Sequence, residues 1–335
     1  MKNSEQLVLV TGADGFIGSH LVEMLHSEGF KVRALAQYNS FNNWGWLDTF
    51  PKDVRKELEV IPGDVRDKEL ITRAMKNIDV VFNLAALIGI PYSYKAPRSY
   101  VDTNINGILN ILNAARELNT KQVIHISTSE VYGSAQFIPI TENHPIIGQS
   151  PYSASKIGAD QMAISYYKSF NLPVTIIRPF NTFGPRQSSR AVIPTIITQI
   201  LKNKPIKLGS ISPTRDFTFV EDTVAGMISS IKNKKSIGQV INIGSGYEIS
   251  INKLYLTISK LMGKKLKLLT SKTRVRPKNS EVMRLCASIK KAEKILKWKP
   301  KYKDLKGLEK GLIKTIKWFE NKDNLKRYKT DIYNY

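Results

Sequence analysis

Cysteine is nearly missing from this 335-residue chain: Cys286 is the only one. A single thiol excludes an intrachain disulfide and a cysteine-based zinc cluster. Histidine is scarce as well, and His20, His26, His125 and His144 show no ligand spacing, so no metal is expected. No run approaches the ~18 uninterrupted apolar residues of a membrane span. No cleavable apolar segment precedes LVLVTGADGFIG, which makes the cytoplasm the expected location. Acidic residues are few, 28 against 51 Lys and Arg, giving a net charge of +23. A basic surface suits nucleic acid, anionic membranes or phosphorylated small molecules. The lysines crowd the last third, at helix-surface spacing between Ile, Leu and Trp, and no nucleic-acid-binding motif accompanies them. They are therefore read as solvated faces, with no nucleic-acid or membrane partner.

Through the first half, short apolar runs alternate with amphipathic stretches: QLVLVT, KVRALA, ELEVIPGD, DVVFNLAA, KQVIHIST and LPVTIIRPF. A β-α-β-α order with continuously apolar strands predicts an α/β fold, a parallel sheet buried on both faces by helices. One long helix is expected from about Pro97 to Leu118 and another from Pro151. Residues 1–178 read as the sheet domain, with a return to the sheet near 217–245. Residues 179–320 read as a smaller, mainly substrate-binding unit, and 321–335 as a peripheral tail.

The first strand runs into Thr11-Gly12-Ala13-Asp14-Gly15-Phe16-Ile17-Gly18, a G-x-x-G-x-x-G spacing between a strand and a helix. Glycines there allow a tight turn and close backbone approach to a pyrophosphate, and the helix start offers free N–H groups. The second strand has no acid near Gln37, where a plain NAD site carries one, while Arg33 points towards NADP. NAD versus NADP stays open. Asp64, with Val65 beside it, reads either as a contact to the adenine amino group or as a turn residue. Leu84, Ala85 and Ala86 end the fourth strand, where small side chains admit the ribose and nicotinamide. Trp44 and Trp46 read as core packing, against an oligomer contact or a cover for the adenine.

Tyr152 and Lys156 are spaced i, i+4 at a helix start, so they share one face. An ammonium beside the phenol is expected to lower its pKa and make it a usable base. Tyr302 and Lys306 repeat the spacing but read as a surface pair. Ser127-Thr128-Ser129-Glu130 ends the fifth strand, one loop before Tyr152, so both can meet at the carboxyl edge of the sheet. Arg186, Arg215 and Arg276 lie in loops after Pro and suit a diphosphate clamp.

Together these features resemble the extended short-chain dehydrogenase/reductase family. The glycine loop, NLAA, Thr128, Tyr152/Lys156, Arg178-Pro179-Phe180-Asn181 and Arg215-Asp216-Phe217 all match. The resemblance implies a Rossmann-type doubly wound parallel sheet and a smaller C-terminal α/β domain for a nucleotide-diphosphate sugar. It implies NAD(P)+ that is tightly bound and regenerated in each turnover, and a homodimer or homotetramer joined by helices near 100–118 and 154–170. It also places Asn181 near the first phosphate or sugar, and Arg215 and Arg276 on the diphosphate. Asn104 is read as holding a structural water by the fifth strand.

Thr128-Ser129-Glu130 resembles the GDP-mannose 4,6-dehydratases and also the UDP-glucuronate decarboxylases. Simple 4-epimerases have no carboxylate at the Glu130 position. SPYSASK favours the dehydratases. The segments YNSFNNWGWLD, ALIGIPYSYKAPRSYVDTN and RVRPKNSEVMRL are most similar to bacterial dehydratases of legionaminic-acid synthesis, which act on GDP-N-acetylglucosamine. That likeness implies a hydro-lyase. Tyr152 takes the 4-hydroxyl proton, Thr128 hydrogen-bonds that oxygen, and hydride leaves C4. Glu130 removes the C5 proton, water leaves C6, and hydride returns to C6. Ser129 replaces the aspartate of the dTDP-glucose enzymes, and its hydroxyl is too weak an acid to expel the C6 hydroxyl. Either Glu130, once protonated, donates in a second step, or Ser129 relays through water. A decarboxylase calls instead for an extra cation near the sugar carboxylate.

Overall fold

The computed structural model describes residues 5–329. Six strands open the chain: β1 (Leu7–Thr11), β2 (Lys31–Gln37), β3 (Glu59–Gly63), β4 (Val80–Asn83), β5 (Gln122–Ile126) and β6 (Val174–Pro179). Seven more follow: β7 (Asn181–Phe183), β8 (Ile206–Leu208), β9 (Thr214–Phe219), β10 (Val240–Ile243), β11 (Glu248–Ser250), β12 (Leu268–Thr270) and β13 (Arg284–Leu285). The main sheet is parallel throughout, in the order β10-β6-β5-β4-β1-β2-β3. The order in which strands are added reverses between β1 and β4, the Rossmann switch point, where the crevice beyond the carboxyl ends receives a ligand. β4, β5 and β6 are buried along their whole length, as their apolar sequences require. The run QVINIGS supplies the edge strand β10.

β9 organises a second sheet with β7, β11 and β13, and β8 pairs with β12. The fully buried Asp216 stitches this part together, accepting N–H bonds from Ser245 (2.8 Å), Gly246 (2.9 Å) and Ala287 (3.1 Å). The helix expected over 97–118 is continuous but not uniform. Residues Val101–Asn106 adopt the wider π winding between α-helical turns Pro97–Tyr100 and Gly107–Glu117. Single π turns inside helices often sit at functional sites, and this one carries Asn104.

The described part of the 321–335 segment contains a short helix, Lys322–Leu325, and docks Tyr328 against Trp46 and Phe319 (ring centroids 5.7 and 5.1 Å). Residues 330–335 lie outside the described residues. Trp46 also meets Trp318 at 5.4 Å, while Trp44 is partly exposed. Tyr302 bonds Glu221 and Lys314 through its hydroxyl. Among the described residues no helix is long and apolar enough to cross a membrane.

Candidate active site

The glycine loop joins β1 to the helix Phe16–Ser27. Gly12 has φ +65°, and a Cβ on it would stand 3.0 Å from the Ala85 backbone. A Cβ on Gly18 would lie 2.0 Å from the Gly12 carbonyl oxygen, so only glycine lets this helix start so close to the turn. No side chain caps the helix at Gly15, which leaves its first amides, around Phe16 and Ile17, for an anion. Thr11 locks the facing loop: its Oγ1 donates to Asn83 Oδ1 (2.8 Å) and accepts from the Leu84 and Ala85 N–H groups (3.1 and 3.0 Å). Glycine loop and NLAA segment thus form one backbone-lined cradle that fits a dinucleotide. When bound, the nicotinamide ring takes up and returns a hydride, and its positive charge favours a nearby phenolate.

Asn104 has its amide committed to protein partners. It accepts the Leu87 N–H (2.9 Å) and donates to the Leu87 carbonyl (3.0 Å) and Ser155 Oγ (2.9 Å), tying the loop after β4 to the Tyr152 helix. Asp64 is likewise engaged. Arg66 holds both its oxygens (2.6 and 3.0 Å) and keeps its carboxyl below the usual range. Val65 packs beneath Gly107.

The reactive side chains converge where β5 ends. Ser150 and Ser153 cap the next helix reciprocally, Ser153 N–H to Ser150 Oγ at 3.1 Å and Ser150 N–H to Ser153 Oγ at 2.9 Å. With Pro151 in its first turn, that helix presents Tyr152, Lys156 and Asp160 on one buried stripe. Thr128 opens a single turn, Ser129–Tyr132, and its Oγ1 accepts the Glu130 N–H at 3.2 Å. Thr128, Ser129 and Glu130 are all buried. Thr128 hydrogen-bonds Tyr152, and Tyr100 meets the Tyr152 ring edge-on at 6.2 Å.

The phenol pKa departs from expectation. Burial pushes Tyr152 up, and the negative charge of Glu130 adds to this, outweighing the Thr128 hydrogen bond. Lys156 directs its ammonium to the Ile126 carbonyl at 2.7 Å. Burial pulls Lys156 down to about 8, with Asp160 opposing.

Two of the three clamp arginines come together. Arg276 reaches Glu130 at 3.5 Å, and Arg215 reaches Glu281 at 3.4 Å and the Thr214 carbonyl at 2.9 Å. Burial and the neighbouring Arg276 charge push Arg215 down; for Arg276, burial is outweighed by Glu130 and Glu281 and the value rises. Asn181 begins β7 with its Oδ1 buried and unbonded among the described residues, an acceptor left for another molecule. Arg186 stands apart. In a left-handed backbone (φ +68°) it pairs with Glu23 at 2.8 Å on the first helix, stacks over Phe50, and so sits beside the dinucleotide cradle.

Sequence reasoning missed the polar layer beneath this cluster. Arg178 at the end of β6 holds Asp160 (2.9 and 3.0 Å) with both side chains buried, and donates to the Tyr132 hydroxyl at 3.1 Å. Tyr132 passes a bond to Asn242 (2.7 Å), and His125 lies between Asn83 (3.3 Å) and Asp160 (3.5 Å). Burial drives His125 down to about 4, so it is neutral at pH 7. The available signal was an arginine and a histidine inside strands with no exposed face: buried charges and polar groups need partners.

Residues 9–310 match the family described as GDP-mannose 4,6 dehydratase. A putative UDP-glucose 4-epimerase of Methanocaldococcus jannaschii is 32% identical over 94% of this chain and 99% of its own length. A UDP-N-acetyl-alpha-D-glucosaminuronate decarboxylase of Bacillus cytotoxicus is 30% identical over 94% and 98%. Among solved structures, the dTDP-glucose 4,6-dehydratase DesIV of Streptomyces venezuelae, with NAD bound, superimposes with a TM-score of 0.86. It is 26% identical and covers 97% of this chain and 99% of that one.

Proposed function

The chain belongs to the GDP-mannose 4,6-dehydratase family of extended short-chain dehydrogenases, and from that membership we propose that it is an NAD(P)+-dependent nucleotide-sugar 4,6-dehydratase. The observation that carries this reading is Glu130, a buried carboxylate in the same turn as Thr128 and close enough to Tyr152 to raise its pKa. A dehydratase needs such a base at C5, and an epimerase, which only removes and returns hydride at C4, does not. In the proposed cycle Tyr152 takes the 4-hydroxyl proton, Thr128 holds that oxygen, and Lys156 favours the phenolate and holds the ribose. Glu130 then takes the C5 proton, made acidic by the 4-ketone, and passes it, directly or through water held by Ser129, to the C6 hydroxyl, which leaves as water; the hydride removed from C4 returns to C6 and C5 regains a proton. Arg215, Arg276 and Asn181 bind the diphosphate end. GDP-N-acetylglucosamine is the substrate this reading puts first, with the 4-keto-6-deoxy sugar as a precursor of legionaminic or related acids. The working form in this reading is a homodimer or homotetramer, which light scattering measures.

A second reading has one observation in its favour. In this reading Arg276, 3.5 Å from Glu130, faces the sugar in place of the diphosphate and supplies the cation that a UDP-glucuronate decarboxylase requires. Purified protein incubated with GDP-N-acetylglucosamine, UDP-N-acetylglucosamine, GDP-mannose, dTDP-glucose and UDP-glucuronate separates the readings by product mass. A product lighter by one water supports the dehydratase. Loss of carbon dioxide moves the assignment to the decarboxylases, and an unchanged mass with inverted C4 to the epimerases.

A further inference from the structure

A parallel dinucleotide-binding sheet reads the adenosine ribose at the carboxyl end of its second strand, with a carboxylate for a free 2′-hydroxyl or an arginine for a 2′-phosphate. Here β2 ends in Ala36-Gln37 and carries neither. No Lys or Arg occurs among residues 34–51, and the one charged residue there, Asp48, accepts the Trp44 N–H at 2.9 Å. Arg33 is turned to Glu59 (2.8 Å) and to the carbonyls of Ala74 and Lys76 (2.8 Å each). Arg66, beyond the adjacent β3, is held by Asp64.

A carboxylate nevertheless stands at this strand end, brought by a different segment. The Ala13 N–H donates to the Leu35 carbonyl at 3.2 Å, which lays the glycine loop along β2. The next residue, Asp14, receives the Gln37 backbone N–H on its carboxylate. The segment after β2 folds over it: the Trp46 N–H donates to the Asp14 carbonyl at 3.0 Å. Gly45, at φ +56°, passes so close that a Cβ would fall 2.6 Å from that oxygen. Asn39 braces the segment with neutral bonds to the Gln37 and Asn43 carbonyls (3.1 and 2.9 Å).

We infer that Asp14 supplies, from the glycine loop, the ribose-reading carboxylate that β2 lacks, and that the site therefore takes NAD+ and repels the 2′-phosphate of NADP+. A phosphate there meets a like charge, while the neighbouring cations Arg33, Arg66 and Arg186 are engaged by Glu59, Asp64 and Glu23, and that repulsion discriminates between the two cofactors. The inference rests on the dinucleotide site and is independent of the reaction assigned to the sugar.

The test is binding, not turnover. Calorimetric titration of the protein after its bound nucleotide has been stripped should give an affinity for NAD+ roughly 100-fold above that for NADP+, the scale of a like-charge repulsion at a partly screened site. Nucleotide released by denaturing the protein as purified should be NAD+. Asp14→Asn should shrink the ratio to within about 10-fold, mainly by strengthening NADP+ binding, with Asp14→Ser as the second variant. Equal affinities in the wild type, or a ratio unmoved by either substitution, overturn the proposal. The wild-type ratio needs no variant and decides the cofactor choice even where a substitution prevents folding.

Discussion

The guanidinium of Arg276 lies 3.5 Å from the carboxylate of Glu130, which joins one arm of the candidate diphosphate clamp to the candidate C5 base. Both side chains sit at the meeting of the two halves of the fold, Glu130 after β5 and Arg276 in the loop before β13.

That pairing makes Arg276→Gln informative. Losing a charge-assisted donor should raise KM for the nucleotide sugar roughly 10–100-fold. Affinity for the dinucleotide, measured by titration, should stay the same. An unchanged KM would place Arg276 outside the sugar-nucleotide site and leave it as a partner of Glu130 alone.

Lys156 sets the alkaline limit. Its value of about 8 means that the ammonium is lost as pH rises through that point, so kcat should fall on the alkaline side with a midpoint near there. Asp160 favours the ammonium, so Asp160→Asn should move the midpoint to lower pH. Lys156→Arg keeps its proton and should lack this limb. The linkage to folding has the opposite sense. Between about 8 and the unperturbed 10.5 the native chain binds fewer protons here than the unfolded one. The contribution of this residue to stability therefore rises with pH across that window. Rate profiles of the three proteins and their urea midpoints check both signs.

Arg178 and Asp160 form a buried pair whose members depend on each other. Arg178→Met leaves a buried carboxylate without its cation and should cost about 3–5 kcal/mol. The double variant Arg178→Met/Asp160→Leu should regain part of that loss. A loss under about 1 kcal/mol in urea titrations of the single variant would show that water or another group compensates the carboxylate.

Much of this arrangement was legible in the residues. Apolar runs separated by helical periodicity gave the parallel order, because strands buried on both faces leave little choice of pattern. Tyr152 and Lys156 stood out by spacing and by their place one loop after a strand end, and Thr128 and Glu130 by the family resemblance of the Thr-Ser-Glu segment. What escaped depended on tertiary partners. Nothing local distinguishes Arg186, which turned to Glu23 on the first helix, from Arg276, which turned to Glu130. The π winding at Val101–Asn106 carries Asn104, whose bonds to Leu87 and Ser155 reach outside its own helix and leave no local pattern. The raised pKa of Tyr152 reflects burial, which a motif does not record. The docking of Tyr328 on Trp46 joins two segments nearly a chain length apart.

The central claim is that hydride leaves C4 and returns to C6 while Glu130 takes the C5 proton. GDP-N-acetylglucosamine carrying deuterium at C4, and the other nucleotide sugars labelled in the same way, test it by NMR of the product. The account predicts that the label moves to C6 without added cofactor. In deuterated water, unlabelled substrate should gain deuterium at C5. Glu130→Gln should slow both by roughly 100- to 10,000-fold with dinucleotide binding intact. Label retained at C4 of an epimerised sugar, or a product lacking carbon dioxide, would contradict it.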